Sequence, residues 1–261
     1  MDLGLQGKIA LVTGAGGGIG AGISTELARE GVALCLAARD RDKLKAVADI
    51  VANLSGHRAA IFSGDLREPD VSSAAVAAAI AQFGRLDILV NCAGDTQRGD
   101  FLALSEEDWA DGFAVKFHGY VRVTRAAWPH LRAAQGVVVN IVGVGSRAGS
   151  AEFTIGGAVN SALLNFTKAM ADRGLRDGVR VNAINPGLIE TDRLARTIER
   201  SMREHACDRQ EAVARLLAPR GTRRFGRPEE IGWLAAFLAS PKADFIHGAI
   251  VDIDGGATRA L

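Results

Sequence analysis

Directly after a short apolar run at residues 8–13 the chain reads Thr13-Gly14-Ala15-Gly16-Gly17-Gly18-Ile19-Gly20, and a helix-forming segment follows. Nothing else in the sequence restricts the fold as strongly. Glycines packed this densely let the backbone turn sharply out of a strand into a helix and approach a ligand closely. The N–H groups of the first helical turn have no acceptor inside the helix, and with the helix dipole they favour a pyrophosphate. The motif has this meaning only between a strand and a helix, which is its position here; a tight turn with no ligand is the alternative reading.

The rest of the chain continues the same alternation. Apolar runs at residues 8–13, 33–38, 58–63, 86–91, 137–142, 180–184 and 249–253 predict seven strands. Between them, residues 19–30, 40–53, 69–83, 105–131, 153–175 and 228–239 predict helices, the last opened by Pro228, Glu229 and Glu230 in the order a helix N-terminus prefers. Repeated βα units of this kind predict an α/β fold: a doubly wound, mostly parallel, Rossmann-like sheet of about seven strands. Residues 191–224 break the alternation; they are charged, helical in composition, and predict one or two helices inserted on the substrate side. No linker-like or repetitive stretch divides the chain, so residues 1–261 read as a single domain.

Composition excludes several function classes. Thirty-one Lys and Arg against 30 Asp and Glu give a net charge of +1, too balanced for a nucleic-acid-binding surface. Cys35, Cys92 and Cys207 are too scattered for a disulfide framework or a metal site, which points to a reducing compartment. No run reaches the ~18 apolar residues of a membrane span, and the N-terminus has no signal-like pattern. A cytoplasmic protein acting on a small molecule is the expectation.

The spacing Thr-Gly-x-x-x-Gly-Ile-Gly resembles that of the short-chain dehydrogenase/reductase family. Further segments agree, in order and spacing: Asp65-Leu66 after the third strand, Asn91-Cys92-Ala93-Gly94 after the fourth, Asn185-Pro186-Gly187 with Ile189 and Thr191 after the sixth, and Asp254-Gly255-Gly256 near the C-terminus. The resemblance implies a nicotinamide dinucleotide held by Gly14, Gly17, Gly18, Ile19, Gly20, Asp65, Leu66, Asn91, Ala93, Gly94, Pro186, Gly187, Ile189 and Thr191. At the end of the second strand stand Ala37-Ala38-Arg39-Asp40, with no carboxylate to accept from the ribose 2′-hydroxyl of NAD. Arg39 can instead pair with the 2′-phosphate of NADP, which makes NADP(H) the preferred cofactor and NAD(H) the alternative. The other reading of Arg39 is a solvated side chain ahead of a helix capped by Asp40.

Family enzymes handle the reacting oxygen and its proton with Asn, Ser, Tyr and Lys. Placed on this sequence, those slots fall at Lys116, Gly143, Gly156 and Asn160. Tyr120 is the only tyrosine in the chain, and no lysine follows it by four to seven residues. A phenol activated by a neighbouring ammonium is therefore not available. Near the expected mouth remain Lys116, His118, Tyr120, Asn140, Ser146, Arg147, Glu152 and Asn160. Lys116 is the catalytic candidate, because Lys and Asn look exchanged between the helix and the Lys slot. The alternative is that Lys116 runs to solvent through space left by the glycines. His118 reads as a surface or subunit-contact residue, Cys92 as a small buried thiol, and Arg147 with Glu152 as a substrate-side or solvated loop pair.

Three functions follow from these residues: an NADP(H)-dependent oxidoreductase with relocated proton chemistry, a catalytically inactive nucleotide-binding subunit or redox sensor supporting an active homologue, or a non-redox lyase or isomerase. Family resemblance also implies a homodimer or homotetramer, or a heteromer with an active homologue, through helices 105–131 and 153–175. Gly156, Gly157, Ser161, Leu163, Leu164 and Phe166 are the expected contact face. In the 191–224 segment, Arg193, Arg196, Arg200, Arg203, Arg209 and Arg215 suggest an anionic ligand, although Glu199, Glu204, Asp208 and Glu211 nearly balance them.

Overall fold

The first apolar run forms β1 (Ile9–Thr13), buried along its whole length, and the glycine-rich loop leads from it into α1 (Gly18–Arg29). A computed structural model describes residues 1–259. The chain continues through β2 (Ala33–Ala38), α2 (Arg41–Ser55), β3 (Ala60–Ser63), α3 (Pro69–Phe83) and β4 (Ile88–Asn91). It then forms α4 (Glu106–Gly112), α5 (Gly119–Ala134), β5 (Val137–Ile141), α6 (Thr154–Asp177) and β6 (Arg180–Pro186), followed by α7 (Asp192–His205), α8 (Arg209–Leu217), α9 (Pro228–Ala239) and β7 (Ile250–Ile253).

The seven strands make one sheet in the order β3-β2-β1-β4-β5-β6-β7, every pair parallel. Because successive strand residues point to opposite faces, one set (Val12, Leu36, Val90, Ile184) packs with Ile23 and Leu27 of α1, Leu44 of α2 and Ile231 of α9. The other set (Leu11, Leu89, Val138, Val181) packs with Val76 of α3 and Val123 and Leu131 of α5. Both faces are covered, as a parallel sheet requires. The strand order reverses between β1 and β4, so a crevice opens beyond the carboxyl ends of those two strands, the usual ligand position in such sheets.

Two expectations are corrected here. The helix expected over residues 105–131 is interrupted: Phe113–His118 forms a π-helical segment between α4 and α5, a wider turn that carries Lys116. The expected subunit face on α6 is also partly wrong. Ile155, Val159, Leu163 and Thr167 form an i, i+4 stripe buried in the chain's own core, and Gly156 is buried beside it, so Leu163 and Gly156 cannot meet a second copy.

Candidate active site

All the loops that follow the strands gather at one edge of the sheet. Thr13, the last residue of β1, accepts at Oγ1 from the backbone N–H groups of Cys92 (3.0 Å) and Ala93 (3.2 Å), drawing the β1 and β4 loops together. The approach is close enough that a Cβ on Gly14, whose φ is +69°, would stand 2.8 Å from Ala93 N and Cα. Next to it, α1 starts on Gly17 with no side-chain cap and no acidic residue in its first turn. Nothing lies within 4 Å of where a Gly17 side chain would begin, while Thr191 Cγ2 stands 3.1 Å from the equivalent point on Gly18. Uncapped N–H groups, open space and no carboxylate together fit a pyrophosphate at Gly17, Gly18, Ile19 and Gly20.

The adenine end is more charged. Arg39 is 66% exposed just beyond β2, and its guanidinium stands 3.9 Å from Asp65. Asp40 caps α2 by accepting from the Asp42 and Lys43 N–H groups, so the capping half of the alternative reading of Arg39 holds while Arg39 itself stays available to a ligand. Asp65 is held by Arg67, which donates to it from Nε (3.0 Å) and Nη2 (2.6 Å), and this pairing keeps its carboxyl below the usual range. Leu66 is buried against the fold, and its carbonyl faces Arg122.

Below the site runs a buried polar chain. Asn91 Nδ2 donates to Thr124 Oγ1 (3.0 Å) and Asn140 Oδ1 (2.9 Å), and Asn140 Nδ2 donates to Thr167 Oγ1 (3.0 Å). These bonds lock β4 and β5 to α5 and α6. Asn140 is fully buried in that chain and so does not line the mouth as expected. Tyr120 is also not at the mouth: it is completely buried, donates to Ile141 O at 2.8 Å, and burial holds its phenol well above its ordinary range. His118 is exposed, Glu152 is exposed, and Arg147 pairs with Asp252 (3.0 Å) rather than with Glu152. Burial raises the Cys92 thiol to about 12, which makes it inert as a nucleophile near neutral pH.

Lys116 turns inward. Its aliphatic chain crosses Gly94, where a Cβ would meet its Cγ and Cδ at 2.8 Å, and its ammonium donates to Val142 O and, at 2.7 Å, to Asn160 Oδ1. The structure therefore brings together Lys116 and Asn160, the two residues that look exchanged in the sequence. Burial first, and the charge of Arg193 second, push the Lys116 ammonium down to about 7. With Asn160 Oδ1 facing the ammonium, Asn160 Nδ2 faces the other way, 3.1 Å from where a side chain on Gly143 would begin. Gly143 has φ +133°, its N–H donates to Asn185 Oδ1, and Asn185 Nδ2 donates to Asp252, so the loop after β5 is tied to β6 and β7.

Two residues of the site carried no signal in the sequence. Phe153 lays its ring against Gly156 and Gly145, so that a Cβ on Gly156 would collide with it. Arg98, in the loop after β4, stacks on that ring with its Cζ 3.7 Å from the centroid. Pro186, Gly187 and Ile189 continue from β6 across the crevice, where a Cβ on Gly187 would stand 2.9 Å from Asp254 Cα and Ile189 bridges to Gly226. Thr191 caps α7.

Among the described residues no helix is long and apolar enough to cross a membrane, and no group of three His, Cys, Asp or Glu side chains could hold a metal ion. Residues 14–258 match a family model described as Enoyl-(Acyl carrier protein) reductase. The oxidoreductase UcpA of Salmonella typhimurium is 36% identical over 97% of this chain and 95% of its own length. Among solved structures, the L-sorbose reductase of Gluconobacter frateurii, complexed with NADPH and L-sorbose, is similar with a TM-score of 0.95 and 30% identity over the whole of both chains. A variant of the actinorhodin polyketide ketoreductase with NADPH is similar with a TM-score of 0.92 and 30% identity over 97% of this chain and 98% of the other.

Proposed function

The chain belongs to the short-chain dehydrogenase/reductase family, and from that premise we propose an NADP(H)-dependent oxidoreductase of small carbonyl or alcohol substrates whose proton is handled by Lys116. The NADPH-bound relatives and the open, uncapped start of α1 support the cofactor, and Arg39 supports the phosphorylated form over NAD(H). When bound, the cofactor supplies or accepts the hydride. The chain's own residues have to bind the reacting oxygen and move its proton.

The family's hydroxyl donors are replaced in this reading by nitrogen donors. Gly143 and Gly156 offer no hydroxyl, while the Lys116 ammonium has three N–H groups and spends two of them on Val142 O and Asn160 Oδ1. The third is free for a substrate oxygen, and Asn160 Nδ2 faces the space over Gly143 where a second donor would be needed. Two such donors aimed at a developing alkoxide act as an oxyanion hole, and the ammonium can also give up its proton. An amine tuned to about 7 exchanges protons readily at neutral pH, whereas the buried Tyr120 does not.

The observation that carries the proposal is the Lys116–Asn160 hydrogen bond. Lys116→Met tests it in a carbonyl-reduction screen with NADPH. Turnover should fall about 100- to 10,000-fold, with NADPH affinity within about threefold of wild type. A variant that keeps the wild-type rate removes Lys116 from the mechanism, and a wild type that binds NADPH yet turns over no carbonyl or alcohol favours the inactive-subunit reading.

A further inference from the structure

We propose that Arg98 and Arg193, set around the Phe153 ring, form an oxyanion subsite that selects substrates carrying a carboxylate or a phosphate close to the reacting carbonyl. The inference rests on the oxidoreductase reading above and names its substrate class. Its starting point is a cation with no ion-pair partner among the described residues. Arg98 Cζ stands 3.7 Å from the Phe153 centroid, and among the described residues its guanidinium makes no hydrogen bond or ion pair. Stacking uses the flat face of a guanidinium and leaves its in-plane N–H donors unspent. A partly buried charge with unspent donors is costly unless something else satisfies them.

The surroundings add positive charge. Arg193, in the first turn of α7, has its Cζ 6.0 Å from the same ring. Its own partner is Asp95, at 3.4 Å, and that carboxylate is 64% exposed. Burial and the like charges of Arg193, Arg200 and Arg220 together lower Arg98 to about 10, with Asp95 opposing only weakly. Arg200 is paired, loosely, with Glu204 at 3.7 Å. Two guanidiniums thus flank the Phe153 ring where α7 faces the β4 loop, and the geometry leaves the Arg98 fork for a ligand.

Position ties this cluster to the reacting centre. The ring that Arg98 stacks on is seated over Gly145 and Gly156, and a Cβ on Gly145 would stand 2.8 Å from Phe153 and 3.6 Å from Asn160 Nδ2. Arg193 is near enough to Lys116 to depress its ammonium. An oxyanion on the two arginines therefore lies beside the donors proposed to hold the carbonyl oxygen. The planar fork suits a carboxylate or a phosphate equally by charge, since both accept two parallel N–H bonds.

Calorimetric titration of the whole protein saturated with NADP⁺, so that no ketone is consumed, separates the possibilities. Acetoacetate is compared with its neutral ethyl ester, and dihydroxyacetone phosphate with dihydroxyacetone. At least one anion should bind about tenfold or more tightly than its neutral match, and the pair showing the larger ratio identifies carboxylate or phosphate. Arg98→Met should erase that ratio without changing NADP⁺ affinity, and Arg193→Gln should reduce it, which guards against a folding defect in either variant alone. Equal affinity for anion and neutral match, no measurable binding of either anion at millimolar concentration, or a ratio kept in Arg98→Met overturns the subsite. Lys116→Met should keep the anion preference; if it does while wild type and variant turn over equally, the Lys116 reading fails and the subsite stands.

Discussion

Glycines do different work at the two ends of the crevice. Where β1 turns into α1, two glycines stand where a side chain would run into backbone: Gly14 against Ala93 N and Cα, and Gly20 against the Gly14 carbonyl. At the other end most obstacles are side chains, Lys116 at Gly94, Asn160 at Gly143, Phe153 at Gly145 and Gly156, with Gly187 against Asp254 Cα the exception. A backbone atom held by the sheet cannot move aside, whereas a ring or an alkyl chain can change rotamer. Gly14 and Gly20 thus hold the backbone cradle at the start of α1 with little freedom to vary. Beside the second set of glycines, side chains from neighbouring elements occupy the space next to residues 143 and 156. A hydroxyl-bearing residue there would need more than the substitution itself, because Gly143 has φ +133° and the Phe153 ring would have to leave Gly156.

The largest effect expected from this contrast is electrostatic. Lys116 runs inward only because Gly94 leaves it room, and its ammonium is held down to about 7 against an ordinary 10.5. Between those two values the unfolded chain binds more protons at this residue than the folded chain, so stability rises with pH across the window and is flat below it. Lys116→Met removes the effect. Chemical denaturation of wild type and variant from pH 6 to 10 should show the wild type gaining roughly 4 kcal/mol relative to the variant as pH rises from 7 towards 10.5. A difference that does not change with pH would mean the ammonium is solvated, and the two ends of the crevice would then be alike in having no buried charge.

A smaller effect compares the glycines directly. Gly20→Ala should cost about 3 kcal/mol in urea denaturation and weaken NADPH binding, since the Gly14 carbonyl cannot retreat. Gly156→Ala should cost about 1 kcal/mol, because the Phe153 ring can rotate away, and adding Phe153→Leu should recover most of it. Equal costs with no recovery would erase the distinction between backbone-limited and side-chain-limited glycines.

The same distinction explains what could be read from sequence. The cradle was legible because its demand falls on consecutive residues: a glycine needed against backbone stands at a fixed offset from its strand, and the strands themselves announce it by apolar runs such as 8–13, observed as Ile9–Thr13. Lys116 and Asn160, singled out in the sequence as a pair of residue types that look exchanged, are hydrogen-bonded to each other. Phe153 and Arg98 were not legible, since the reason for their placement lies in glycines at 145 and 156 that only the tertiary fold brings beneath the ring. Nor does any local pattern mark the π-helical turn at Phe113–His118. The α6 face was misread for a related reason: glycine beside leucine suggests close helix contact, but the stripe through Ile155, Val159 and Leu163 turns that side to the sheet.

An effect small beside those of Lys116 and Gly20 is expected at the adenine end, where the charged side chain is solvent-exposed. Arg39 is 66% exposed and stands 3.9 Å from Asp65, too far for a strong pair, and Asp65 is already held by Arg67. Arg39 therefore gives up little when a 2′-phosphate arrives, and the charge-assisted pair it then forms is partly screened by solvent. Arg39→Ala should weaken NADPH binding about tenfold and leave NADH binding within about twofold, a loss of about 1.4 kcal/mol. Fluorescence titration with both nucleotides at two salt concentrations measures this, and the NADPH penalty should shrink at the higher salt. If NADH binds more tightly than NADPH to the wild type, or if the variant loses both equally, Arg39 is not the group that selects the cofactor. The cradle at α1 would then hold the nucleotide without reading its phosphate.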